Sequence, residues 1–215
     1  MDIFSADTHG GHQNIMKYCN RFIWSDPPIK YANEMDELII KKWNEVVSPE
    51  DTVYHLGDFA FRSRNTNSCF HRLNGTKILI LGNHDGKDVL KLPWAKIYGS
   101  VVGKNEDRIK EYSSIALTIE GQYINLSHFA PRTWDASHRN AWALFGHSHG
   151  GLPEDASLSF DIGWDAWGQP IDFATIRRKM EWKIKNGAPI IKEWIPENVR
   201  AFNQQFIRND ALRTA

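Results

Sequence analysis

Cysteine is scarce in these 215 residues: Cys19 and Cys69 lie far apart and form no CxxC pair, which excludes a disulfide framework and a thiolate zinc site. Both read as reduced packing residues. Neither sign of charge is in excess, with 26 Lys+Arg against 26 Asp+Glu, so there is no global basic field for nucleic acid or an anionic lipid surface. Any phosphate binding has to be local, and the run RSRN around Arg62 and Arg64 is too short for a nucleic-acid patch. No apolar run is long enough to span a bilayer, and the opening MDIFSADTHGG has neither a basic n-region nor an apolar h-region, which predicts a cytoplasmic protein. Internal repeats, linkers and low-complexity tracts are also missing. With 41% hydrophobic residues, the expectation is one globular domain over residues 1–215.

What the sequence does have is a recurrent junction. Short apolar runs end five times at a polar or glycine-rich cluster: DIFSAD at THGGH, DTVYHL at GDF, KILIL at GNHDG, YINL at SHF, and AWALF at GHSHGG. Such runs bounded by turn formers read as strands feeding loops. NEMDELIIKKWNEVV sets Met35, Leu38, Ile39, Lys42 and Trp43 near one helical face, and DFATIRRKMEWKI opens on Asp172 as a natural N-cap. SIALTIE and QYINLS flank Gly121 as a hairpin, and LSFDIGWD adds a further strand. The order predicts an α/β chain of the α+β kind, with a mixed sheet or two packed sheets and helices outside. Residues from about 187 to 215 read as an attached strand or helix with a frayed end.

The junction residues are Asp7, His9, Asp58, Asn83, His84, His128, His147 and His149. A lone histidine at a strand end is most often a hydrogen-bonded structural residue. A set of Asp, His and Asn at five successive strand exits, each beside small residues that let backbones converge, points instead to a shared metal centre. Nitrogen and oxygen donors without thiolate suit manganese, iron, zinc, cobalt or nickel, manganese first, and argue against calcium. No nucleophilic triad competes, because Ser127 is adjacent to His128 and adjacent residues do not face each other productively.

In order and spacing, DTH, GD, GNHD, SH and GHSH, from Asp7 to His149, resemble the signature of the calcineurin-like metallophosphoesterases. The longer stretches HLGDFAF, LNGTKILILGNHD and LSHFAPRTWDASH are similar to a small single-domain bacterial and phage branch of that superfamily. The resemblance implies a two-layer β-sandwich flanked by helices, with a dinuclear centre on loops at the strand ends. It implies Asp7, His9 and His149 on one ion, Asn83, His128 and His147 on the other, and Asp58 bridging. A metal-activated hydroxide would attack a phosphate ester, with His84 protonating the leaving alkoxide; a hydrogen-bonding support role is the alternative for His84. Two divalent ions outweigh the charges of Asp7 and Asp58, so the centre would stay positive and draw phosphate.

Three residues after Asp58, protein-phosphatase relatives carry an Asp that orients the catalytic histidine, and purple acid phosphatases a Tyr that binds ferric iron. Phe61 here does neither, which argues against a phosphoprotein substrate. Asp85 then either orients His84 or caps a helix starting at Gly86. The branch usually has an aromatic residue where this chain has Gly10, which alters the pocket beside His9. Candidates for holding substrate are Asn83, His12, Arg132 and His138, with Arg132 first because a guanidinium forks onto phosphate. Trp134 is a candidate stacking ring, and Asp161 and Asp165 are either partners of a ligating imidazole or turn residues. One cation suits a singly charged phosphodiester, so small linear or cyclic diesters are the expected substrates. A phosphomonoesterase, a nuclease and a non-catalytic metal-retaining scaffold stay open; no membrane partner and no strong nucleic-acid binding are expected, and the oligomeric state is not legible.

Overall fold

The computed structural model describes residues 1–61, 66–102 and 109–207; the RSRN run and the end of the tail, residues 208–215, lie outside them. The fold is α+β. Three of the five expected strands, β1 (Asp2–Ser5), β2 (Thr52–His55) and β3 (Thr76–Ile80), lie side by side and parallel. With β4 (Lys96–Tyr98) parallel to β3 and β11 (Ile171–Asp172) antiparallel to β1, they make a five-stranded sheet. Between β4 and the second sheet lies an antiparallel ribbon of β5 (Ser100–Val102) and β6 (Ile109–Glu111).

The second sheet holds β7 (Ile115–Ile119), β8 (Gln122–Leu126), β9 (Trp142–Phe145) and β10 (Ser159–Asp161). Here β7 and β8 form the expected hairpin, Ile119 opposite Gln122, with Glu120 and Gly121 both at positive φ, as a tight two-residue turn requires. β8, β9 and β10 run parallel. The parallel strands of each sheet therefore send their carboxyl ends to one edge, where binding loops gather in such sheets.

Alternation along β1 sorts the packing. Ile3 joins Val53 and Leu79 in a core shared with helix α1 (Ala32–Val46), while Phe4 faces the other way and joins Leu56, Ile80, Ile124, Leu126 and Leu144 between the two sheets. This is a sandwich with helices outside. The buried stripe of α1 is Met35, Asp36, Ile39, Ile40 and Trp43; Leu38 and Lys42, expected on it, are only half buried. Glu34 starts the helix by accepting from the amides of Lys30 and Tyr31. Helix α2 (Phe173–Asn186) opens as expected, Asp172 Oδ1 accepting from Thr175 N at 2.7 Å. Beyond residue 187 the chain forms a helix, Pro196–Asn203, whose Val199 reaches the inter-sheet core. Among the described residues no helix is long and apolar enough to cross a membrane.

Candidate metal centre

All five expected junctions meet at one edge of the sandwich. The loop after β1 runs beside the loop after β2, with Asp7 N, His9 N and Gly10 N donating to the carbonyls of Gly57, Asp58 and Phe59. The loop after β8 is tied to that after β9 through Gly146 N to His128 O. Of three groups of close potential ligand atoms among the described residues, two are built from these junctions and the third is Cys19, His149 and Asp165. Asp7, His9 and His149 bring one ligand atom each within 4.8 Å of one another, and so do Asp58, His128 and His147. Asn83 joins the second set, its Oδ1 2.8 Å from His128 Nε2.

Each carboxylate is half committed. Asp7 Oδ2 accepts from His147 N at 2.8 Å and Asp58 Oδ1 from His84 N at 2.7 Å, while Asp7 Oδ1 and Asp58 Oδ2 are buried with no partner among the described residues. Asp58 Oδ2 lies 3.6 Å from His9 Nε2 and also 3.6 Å from His128 Nε2, so it stands between the two sets. His9 leaves both ring nitrogens buried and unsatisfied. His128 donates its Nδ1 proton to Leu56 O at 2.7 Å, which turns a bare Nε2 lone pair toward Asp58 and Asn83. Buried polar atoms without partners are costly in ordinary folds, and here they converge; cations are what satisfies them. The residues present fit bound metal ions.

The backbone is strained at the same points. Asp7, His9, Asp58, His147 and His149 all have positive φ, a region that costs a non-glycine residue of order 1–3 kcal/mol each. The glycines beside them are there for room: a Cβ on Gly146 would come 2.7 Å from Asp7 Oδ2, and one on Gly82 would collide with Asp58.

Electrostatics follow the burial. Desolvation lifts Asp7 well above the ordinary carboxylate range and lifts Asp58 to about 7, the latter aided by Asp85. It pushes His9 down and holds His128 near 3. Burial works against a charge on His149 too, but hydrogen bonds to Asp165 and Cys19 and the nearness of Asp7 override it and push the ring up to about 12. Asp165 stays well below the carboxylate range in spite of its burial, because Arg21 and His149 flank it.

Asp165 and Asp161 are both more than turn residues. Asp165 Oδ2 accepts from His149 Nδ1 at 2.7 Å. Asp161 ties the GHSHG turn, Oδ2 accepting from Ser148 Oγ at 2.7 Å and Gly150 N at 2.9 Å. Asp85, expected to orient His84 or to cap a helix, does neither: its carboxylate accepts from the amides of Asp58, Phe59 and Gly82, and Gly86 is the N-cap of the helix Lys87–Leu90. Asp85 anchors one ligand loop to the next. His84 faces the centre, its ring 5.3 Å from His9; burial and then Lys110 hold it below its ordinary value.

His12 belongs to the same cluster. Its ring stacks on Phe61 at 4.2 Å and lies 5.5 Å from His9, and its Nδ1 is buried without a partner. Arg132 and His138 are not brought in: both are exposed, and neither has a hydrogen bond, ion pair or ring contact with any ligand residue. Gly10 lines a small cavity of about 20 Å³ together with Thr8, Asp36, Phe59 and Cys69, among others.

Sequence reasoning missed three residues. Arg21, fully buried, forks onto Asp165 and donates to the carbonyls of Asp7 and Thr8. Lys110 Nζ donates to the carbonyls of Gly82, Asn83 and Asp85. Phe129 sets its ring 4.7 Å from His147 and 4.9 Å from His128. Only Phe129 had a signal, its place directly after a ligand.

No protein-family model matches the chain. Over 83 residues, 37% of its length, the chain is 41% identical to an uncharacterized protein of Methanocaldococcus jannaschii, MJ1445, and that alignment spans 44% of the archaeal protein. With the Gene 66 protein of Mycobacterium phage L5 it shares 29% identity over 191 residues, 77% of this chain and 87% of the phage protein. Among solved structures, AQ665, a protein of unknown function from Aquifex aeolicus, is similar at a TM-score of 0.58 and 24% identity, covering 85% of this chain and 98% of that one, a likeness of fold. A novel archaeal phosphodiesterase is similar only at a TM-score of 0.37 and 19% identity, over 75% of this chain and 81% of that one, too loosely to argue from.

Proposed function

We propose that this chain is a calcineurin-like phosphoesterase that works with two divalent transition-metal ions, manganese first among them, on small phosphodiesters. The observation that carries this reading is the pair of largely buried donor sets with Asp58 Oδ2 between them, where unpartnered buried atoms call for cations on either side of one carboxylate oxygen. When bound, the ions supply a water acidified toward neutrality and positive charge for the phosphoryl oxygens.

The chain's own residues supply the rest. Asp7, His9 and His149 would hold one ion, Asn83, His128 and His147 the other, and Asp58 both. His84, fixed through its amide to Asp58 Oδ1, gives a ring proton to the departing oxygen. His12 offers a second imidazole to a phosphoryl oxygen, steadied by Phe61.

Charge supports a diester. Arg21 is committed to Asp165 and Lys110 to the carbonyls of its neighbouring loop, while Arg132 is exposed and makes no hydrogen bond or ion pair with the donor residues. A dianionic monoester would draw on cations that are otherwise engaged; a singly charged diester asks for fewer.

The test is to chelate the purified protein and add back manganese, nickel, cobalt, zinc or magnesium. Bis(nitrophenyl) phosphate and nitrophenyl phosphate are then compared at matched pH. Hydrolysis should return with a transition metal and favour the diester. A monoester preference would remove the substrate assignment, and two bound ions per chain with no hydrolysis of either ester would make the protein a metal-retaining scaffold.

A further inference from the structure

The ligand residues are not equally enclosed. Asp7, His9, Asp58 and His128 are buried, whereas His147 is exposed, so the centre opens to solvent on the His147 side. Two aromatic rings stand there. Phe129 is 37% exposed and Tyr112 43% exposed, and their centroids are 5.0 Å apart. Scattered surface aromatics need no explanation, but these touch each other, and one touches two metal-ligand imidazoles.

Their positions are held. Ser127 Oγ donates to Phe129 O at 2.8 Å, which pins the turn carrying the ring beside His128. Tyr112 directly follows β6, two residues beyond Lys110. Lys110 Nζ is bound to the loop that carries Asn83, which ties the ribbon to the candidate metal centre just before Tyr112. The three ring contacts of Phe129, with Tyr112, His128 and His147, are at interplanar angles of 86°, 71° and 66°. None of these contacts stacks one ring flat on another, and both rings keep solvent-exposed surface that a planar group can cover.

Two polar groups close by among the described residues are already engaged, Ser127 Oγ with Phe129 O and Lys110 Nζ with loop carbonyls. Trp134, the ring that the sequence singled out for stacking, donates its indole N–H to Ala141 O at 2.8 Å and braces its own loop. Recognition at this edge is by ring faces, and a ring face accepts any base.

We propose that Phe129 and Tyr112 form a stacking platform at the open edge of the metal centre, so that the site takes phosphoesters bearing a nucleobase and does not distinguish one base from another. The inference rests on the phosphoesterase reading above and names its substrate class. A base seated on the platform would lie one sugar away from a phosphate held between the donor sets.

Substrates that share the reacting phosphate and differ only in the base give the test. Adenosine and cytidine 2′,3′-cyclic phosphates are compared with ribose 2,3-cyclic phosphate as kcat/KM in the manganese-loaded protein, for the natural chain, Phe129→Leu and Tyr112→Leu. Stacking contributes roughly 5- to 150-fold per base. The two nucleotides should exceed the base-free ester by roughly tenfold or more, mainly through KM, and differ little from each other. In both variants the ratio should fall toward one. Calorimetric binding of the nucleoside monophosphates against ribose phosphate, with each protein, gives a readout independent of turnover.

Equal kcat/KM for base-bearing and base-free esters in the natural chain, or an undiminished ratio in both variants, overturns the platform and leaves the phosphoesterase reading standing. Base-dependent binding that the variants abolish, in a protein that hydrolyses no ester, upholds the platform and overturns that reading instead. A marked preference for one base would replace ring-face recognition with hydrogen-bonded readout and overturn the proposal as stated.

Discussion

Asp165 Oδ2 takes the Nδ1 proton of His149 at 2.7 Å while Arg21 forks onto both oxygens of the same carboxylate, at 2.9 and 2.7 Å. The carboxylate fixes which nitrogen of His149 carries a proton, and Arg21 keeps the carboxylate charged in a fully buried place.

Replacing Asp165 with Asn should therefore weaken metal binding without touching a ligand. The expected loss is roughly 10- to 100-fold in affinity, measured by competition with a chelating dye. Arg21 would be left buried opposite a neutral amide, so melting should show a loss of about 3–5 kcal/mol as well. Unchanged metal affinity would remove Asp165 from the support of the centre.

Metal uptake should expel protons. In the metal-free chain burial lifts Asp7 and holds Asp58 at about 7, and Asp165 with its neighbours lifts His149, so each of these donors carries a proton that a cation must displace. Apparent affinity should rise with pH through about 7. Titration calorimetry in two buffers of different ionisation heat should register net proton release, and Asp58→Asn should lower occupancy at both positions. No proton release, or one tightly held ion indifferent to that change, would contradict a shared dinuclear site.

His84 is fixed by its amide and presents its ring to the centre. His84→Ala should lower turnover by roughly 10²- to 10⁴-fold with both ions retained. The deficit should be large for an alkyl ester and small for a nitrophenyl ester, whose leaving group departs without protonation. Equal deficits for the two would assign His84 to positioning.

Asp36 gives a pH effect outside the ligand set. Burial raises it from 3.8 to about 6, although its Oδ1 accepts from Gly11 N at 2.8 Å. The folded chain therefore keeps a proton that the unfolded chain releases, and this residue's contribution to stability falls as pH rises from about 4 to 6, then stays level. Asp36→Asn retains an acceptor for Gly11 and removes the slope. The variant should gain on the natural chain across that window, by no more than about 3 kcal/mol, in denaturant unfolding at pH 4.5 and 7. A pH-independent difference between the two would refute this assignment.

The strands and the clustered candidate donors were legible because each is local. A four- or five-residue apolar run announces a strand, and the loop directly after it carries Asp7, Asp58, Asn83, His128 or His147 in plain view. What was not legible is whatever depends on two distant segments meeting. Arg21 finds Asp165 across 144 positions, and nothing in NRFIW marks an arginine that will be wholly buried. Asp85 misled for the same reason: beside His84 it read as that ring's partner, but its carboxylate turns back to the amides of Gly82, Asp58 and Phe59. Arg132 shares a connection with His128 but is exposed and makes no hydrogen bond or ion pair with the donor residues, which its place in the sequence did not reveal.

Each donor set draws from both layers of the sandwich. Asp7 and His9 leave the five-stranded sheet and meet His149 from the other; Asp58 and Asn83 leave the first sheet and meet His128 and His147 from the second. An ion in either set is thus a rivet through the two layers, in a chain whose described cysteines are both free. Pulled apart along the direction that separates the sheets, the loaded protein would resist first at the edge that carries the donors, and a chelator would turn that edge from the stiffest seam of the molecule into the place where the layers begin to part.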